Sequence, residues 1–143
     1  MGRQAGYNIT TGSDNTAFGR SALGSNTTAS YNTAFGRNAL LDNTTGEKCT
    51  AVGTFALDAN TTGDYNTAIG YDALSNTTTT NSNTAVGKDA LRLSTTSENT
   101  AVGSLALDAN TTGALNNALG YNALGANTTG GENVAVGREA LRT

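Results

Sequence analysis

Apolar and polar positions along this chain alternate in a block that returns at a fixed interval. In Asn32-Thr33-Ala34-Phe35-Gly36, an alanine and a large apolar residue precede a glycine; Ala39-Leu40 follows, and a polar Asn-Thr-Thr-Gly loop closes the block. Asn66-Thr67-Ala68-Ile69-Gly70 and Asn99-Thr100-Ala101-Val102-Gly103 repeat it. The glycines are Gly2, Gly19, Gly36, Gly53, Gly70, Gly87, Gly103, Gly120 and Gly137, spaced by 17 residues except for 16 between Gly87 and Gly103. The residue missing there falls in the polar loop around Ser97-Glu98-Asn99, where a deletion is absorbed most easily.

Before each glycine stands an apolar residue: Met1, Phe18, Phe35, Val52, Ile69, Val86, Val102, Leu119 and Val136. Alanine stands two before it, and asparagine four before it except at Cys49. Alanine recurs three positions after it, followed by Leu23, Leu40, Leu57, Leu74, Leu91, Leu107, Leu124 and Leu141, with Gly6 the exception. A two-helix repeat needs roughly 30 residues, so this period is too short for helices. Thr, Val and Ile beside Gly/Asn turns favour strands. The period therefore predicts an all-β fold: a parallel β-solenoid of about 17 residues per coil, spanning residues 1–143 as one array of eight to nine coils.

In such a stack, identical residues lie about 4.8 Å apart, and asparagines can hydrogen-bond to their copies. The two-residue period of a strand places Val opposite Ala and Gly, and Leu opposite its neighbouring Ala. The expectation is that the large columns (Phe35 with Leu40, Ile69 with Leu74) meet inside each coil. Ala34, Gly36 and Ala39 would then form a smooth outer wall suited to close approach of sister chains, which points to an oligomer.

Composition sharpens this picture. The chain holds 26 Thr and 18 Asn, no Pro, Trp or His, and only 36% hydrophobic residues. The ordered apolar columns argue against disorder. A net charge of −3 without a basic cluster gives no footprint for nucleic acid. The longest apolar run is far short of a membrane span, and the N-terminus has no signal-peptide core. The array begins and ends in mid-repeat without a polar cap, so a longer parent array or head-to-tail stacking into a filament is expected.

Thr50-Ala51-Val52-Gly53 with Ala56, and the same positions in the other repeats, resemble the head repeats of trimeric autotransporter adhesins (the YadA-like head) and related repeats of bacteriophage tail fibres. In that family a motif of the form S-V-A-I-G-x-x-S/A-x-A recurs once per coil. The resemblance implies a left-handed parallel β-roll, three chains side by side, and an extracellular, cell-surface or virion location. Val52-Gly53-Thr54-Phe55-Ala56-Leu57 is also similar to the hexapeptide of left-handed β-helices. Acyltransferases of that type use a catalytic His, which is absent here.

Candidate chemistry is sparse. Without His, and with Cys49 the sole thiol, neither a Ser/His nor a Cys/His arrangement is available. No enzyme, cofactor or metal is expected. Asp42, Asp58 and Asp108 read as one loop column, a solvated turn rather than a cation site. Cys49 reads as a small buried residue in the Asn column. Arg3, Arg20 and Arg37 form a stripe on successive rungs. Asn8, Asn26, Asn43, Asn60, Asn76, Asn110 and Asn127 begin N-x-T sequons, possible glycan sites or simply turns. Of each Thr pair in the loops, one faces out, a weak match to the flat Thr ranks of ice-binding solenoids. Tyr31 and Tyr65 share a loop column. The functional expectation is a structural segment of a homotrimeric fibre providing rigidity and display. An adhesin head or carbohydrate-binding module, reading a host-surface glycan or receptor through its outer loops, is the alternative.

Overall fold

The computed structural model describes residues 2–142; Met1, placed above in the apolar column, lies outside them. Eight three-residue strands follow one another: β1 Thr16–Phe18, β2 Thr33–Phe35, β3 Thr50–Val52, β4 Thr67–Ile69, β5 Thr84–Val86, β6 Thr100–Val102, β7 Asn117–Leu119 and β8 Val134–Val136. They form one parallel sheet in sequence order. Thr33 lies beside Thr50, Ala34 beside Ala51, and Phe35 beside Val52. The 16-residue unit keeps the register, with Val86 opposite Val102. Each repeat is one rung of a β-solenoid.

Most of each rung is turn. The Ala39 N–H donates to Gly36 O at 3.4 Å and the Asn43 N–H to Leu40 O at 3.4 Å, closing two tight corners. Bonds between rungs run both ways along the axis: the Gly36 N–H donates to Phe18 O of the rung before, the Leu40 N–H to Ala56 O of the rung after. The missing residue of the short unit falls between Thr96 and Ser97, where other rungs carry Gly63 or Thr80. Ser97 Oγ still accepts from the Asn81 N–H at 3.0 Å, as Asn81 Oδ1 accepts from Asp64 at 2.7 Å.

The interior differs from the expected facing. Leu23, Leu40, Leu57, Leu74, Leu91 and Leu107 are fully buried, as expected, but so are Ala34, Ala39 and their copies on the central rungs. Phe18, Phe35, Ile69 and Leu119 face outward at 49%, 50%, 39% and 51% exposure. The strand does alternate, but its small residue points in. A coil this thin has room for one leucine per rung, and the opposing wall must be alanine. Ala39 and Leu40 both face inward because Leu40 has φ of 51°, and its copies are likewise left-handed. A left-handed residue cancels the alternation of an extended chain. The smooth Ala wall is therefore the core, not an outer surface.

Glycine before this corner answers two demands. Gly70 has φ of 137°, a region open to glycine almost alone. A Cβ there would also run into the Gly87 carbonyl of the next rung. Gly137 has φ of 123°, but a Cβ on it meets nothing nearer than Ala140 Cβ at 4.0 Å. Gly137→Ala should cost about 1–3 kcal/mol of unfolding free energy from its backbone alone. Gly70→Ala should lose substantially more, or fail to fold, in denaturant titrations followed by circular dichroism. Equal losses would show that the close approach of rungs contributes nothing.

Candidate functional site

Two columns of buried asparagine are the most organised polar feature. In the first, Asn15 Oδ1 accepts the backbone N–H of Asn32 at 2.9 Å, and Asn32 Oδ1 that of Cys49 at 2.9 Å. Asn66, Asn83, Asn99 and Asn116 continue it at 2.9–3.0 Å. Each amide nitrogen donates to a loop carbonyl, as Asn32 does to Gly46 O at 2.8 Å. In the second column Asn43 Nδ2 donates to Asn26 Oδ1 at 3.1 Å and Asn60 Nδ2 to Asn43 Oδ1 at 2.9 Å. The same nitrogens close their own loops onto Gly46 O and Gly63 O. The expected copy-to-copy side-chain bonds thus carry the second ladder, whereas the first works mainly through the backbone.

Both ladders have defects. Thr77 and Ser94 replace Asn in the second, and Thr77 Oγ1 turns to Ser94 O at 3.1 Å. Asn60 Oδ1 is left buried without a partner. Cys49 interrupts the first. Its thiol reaches Gly63 O at 3.2 Å, and the Asn66 N–H meets sulfur instead of an amide oxygen. Burial pushes the Cys49 thiol up to about 11, with a smaller rise from Asp64 opposed by that N–H. Such a thiol is a poor nucleophile.

The sequons fall largely on the ladder. Asn26, Asn43, Asn60 and Asn110 are fully buried, so a glycan on any of them is incompatible with this fold. Asn127 is half-buried and donates to Asn110 Oδ1 at 3.0 Å. Asn8 and Asn76 alone among these positions are exposed. The loop threonines divide as expected: Thr44 and Thr61 turn their hydroxyls to the next rung, while Thr45 and Thr62 face solvent.

Asp42, Asp58 and Asp108 do not share one column. The Asp42 N–H donates to Asp58 O at 2.9 Å, which puts Leu41 level with Asp58 and Asp42 one step further on. Half-burial pushes Asp58 up to about 6, and the negative charges of Asp72 and Asp42 add to the rise. Burial also raises Asp108, which Arg92 partly offsets, and Asp72, where the Asp89 carboxylate adds to the rise. No group of three or more potential metal ligands gathers among the described residues.

The outer columns hold scattered contacts. The Arg37 guanidinium lies 5.4 Å from the Phe55 ring centre, and Phe55 meets Tyr71 edge-on at 6.2 Å. Arg3, Arg20 and Arg37 are exposed. Tyr31, Lys48 and Tyr65 stand exposed on successive rungs, with Lys48 Nζ donating to the Tyr65 hydroxyl at 2.9 Å. That bond holds the Lys48 ammonium above its ordinary range. All three adopt left-handed backbone conformations, with φ of 63°, 56° and 58°. The positive φ of these bulky residues carried no signal in the sequence. Comparison with protein-family models, curated proteins and solved structures found no match.

Replacing Cys49 with Asn should restore the amide acceptor for Asn66 and raise stability by about 0.5–1.5 kcal/mol; a loss on denaturation would contradict the ladder. Asp58 gives a pH test. Its pKa is raised on folding, so its contribution is fully present below about pH 4 and lost as pH rises through about 6. The melting temperature of Asp58→Asn should therefore fall less than that of the native chain between acid and neutral pH; parallel curves would remove Asp58 as a cause.

Proposed function

We propose that the chain is a structural repeat segment of an extracellular fibre, on a virion or a cell surface, whose work is length, stiffness and display. The observation that supports this most is the unbroken register: all eight strands pair in sequence order, through the 16-residue unit as through the others. Interior amides bond along the same axis, so load applied along the rod falls on many small bonds at once. The resemblance adds left-handed coils and three copies side by side, with head-to-tail stacking as a route to greater length. The reading assigns no reaction to the chain.

A second reading, an adhesin head or carbohydrate-binding module, is favoured by Tyr31, Lys48 and Tyr65. They stand exposed on three successive rungs, with the Lys48 ammonium 4.9 Å from the Tyr65 ring centre.

A fusion of two arrays in tandem tests the first reading. X-ray scattering should show the longest dimension growing by about 4.8 Å per added rung at constant cross-section; growth in all directions would refute a rod. The same protein passed over immobilised neutral oligosaccharides tests the second: retention abolished by Tyr31→Ser with Tyr65→Ser supports it, and no retention removes it.

A further inference from the structure

We propose that the rod has a compliant joint, where the loop edge parts between the rung of Thr77 and the rung of Ser94 while the strand side holds, an inference that rests on the fibre reading for its biological purpose. The loop between the two asparagine columns ties most rungs to the next through a threonine pair. The Thr44 and Thr45 N–H groups both donate to Thr61 O, and those of Thr61 and Thr62 to Thr78 O, at 2.8–3.2 Å. Thr10 with Thr11, and Thr111 with Thr112, do the same. The N–H groups of Thr27, Thr28, Thr78 and Thr79 have no partner among the described residues.

One position accounts for the difference. The loops that make these bonds close on Gly12, Gly46, Gly63 and Gly113, whereas those that do not close on Ala29 and Thr80. A Cβ at Gly46 would run into the Gly63 carbonyl of the next rung, and a Cβ at Gly63 into that of Thr80. Ala29 and Thr80 carry that Cβ, so the loop that follows each must stand off. The rung after Thr80 is also the one that lacks a residue at this place.

The two gaps are not equal. Beside Ala29 the second ladder survives, with Asn43 Nδ2 donating to Asn26 Oδ1 at 3.1 Å. Beside Thr80 it is lost: Thr77 and Ser94 stand in for asparagine, and Asn60 Oδ1 is buried without a partner. On the strand side the same two rungs remain joined. The Thr84 N–H donates to Asn99 O at 2.9 Å, the Gly103 N–H to Val86 O at 2.7 Å, and the Asn99 N–H to Asn83 Oδ1 at 2.9 Å. The Asn76 N–H to Arg92 O and the Glu98 N–H to Asn81 O, both at 3.2 Å, flank the gap. The stability of a stacked array is a sum over its rung interfaces, so an interface stripped of bonds along one edge parts there first. A sideways load therefore bends the rod here, about the paired strands β5 and β6.

Native-state hydrogen exchange of the full chain, read residue by residue by NMR and scaled to unstructured rates, tests this. The Asn76 and Glu98 amides should exchange about tenfold faster or more than those of Asp42 and Tyr65, which hold the corresponding places on other rungs. Thr84 and Gly103 should stay as protected as Thr50 and Gly70. A Cβ at Gly63 would also crowd Asn60 Oδ1 of its own loop, so Thr77→Asn and Thr80→Gly are made together; the pair should slow Asn76 and Glu98 to the rates of Asp42 and Tyr65. Gly63→Ala copies the arrangement at Ala29 and should speed exchange of Thr61 and Thr62 about tenfold, and it remains informative if the double variant fails to fold. Equal protection of Asn76, Glu98, Asp42 and Tyr65 in the native chain, or exchange unmoved by these variants, would overturn the joint. So would exchange of Thr84 and Gly103 together with Asn76, because the whole rung would then be unfolding. The length of the tandem array is read separately by scattering, so a uniformly protected rod would sink this proposal and leave the fibre reading standing.

Discussion

A coil whose interior is one leucine wide cannot hide its corner backbone behind apolar bulk. The two buried asparagine columns solve this. An asparagine amide offers a donor and an acceptor on a short stem, so it satisfies a loop carbonyl of the coil and a group on the neighbouring rung together. Alanine would leave both buried and unpaired, at a penalty of about 1–3 kcal/mol per group. Aspartate would bring a charge and lose the donor. The place where the ladder fails shows the same rule: where Thr77 follows Asn60, the Asn60 oxygen is orphaned.

The corners impose the opposite demand. Leucine at φ near 50° recurs through the core, and a second and third column of bulky or charged residues are also left-handed. Such residues cost roughly 1–2 kcal/mol each relative to ordinary backbone. A rung on its own is therefore unfavourable, and what offsets it is the set of bonds and contacts to the rungs above and below. Stability of this kind belongs to the array and grows with nearest-neighbour interfaces. The close approach at Gly70, where no Cβ fits beneath the Gly87 carbonyl, shows how directly one rung rests on the next.

Much of this was legible in the sequence, and the part that was not has a physical reason. The period, strand positions and register follow from glycine, alanine and asparagine recurring together. Facing was harder. Alternation in Thr33-Ala34-Phe35 is real, but it leaves open which parity points inward, and hydrophobicity alone favours phenylalanine. Interior width decides, and width depends on corners that the sequence hides. Ala39-Leu40 reads as an alternating pair only if Leu40 is extended; leucine gives no hint of a left-handed φ, as glycine or asparagine does. The sequons illustrate a related ambiguity: Asn43-Thr44-Thr45 fits an acceptor site, and burial makes it a ladder instead. Asp42 and Asp58 looked alike in the loop, and only the bond from the Asp42 N–H to Asp58 O separates their columns.

Different columns of the rung are restricted in different degrees, and the degree follows from what each touches. The Ala34 and Gly36 columns keep one identity through the described rungs, because each residue is wedged between two copies of itself. The column after the glycine reads Arg20, Arg37, Thr54, Tyr71, Lys88, Ser104, Tyr121 and Arg138, with no rule of size or charge, as befits water. The Phe35 column lies between these extremes. It varies from valine to phenylalanine and never becomes polar, although it is as exposed in this single chain as its freely varying neighbours. Exposure alone does not set this freedom: Thr28, Thr45 and Thr62 are exposed as well, and their column is threonine on every rung. Restriction of polarity without restriction of shape sets the Phe35 column apart from the threonine column, where both are fixed, and from the column after the glycine, where neither is.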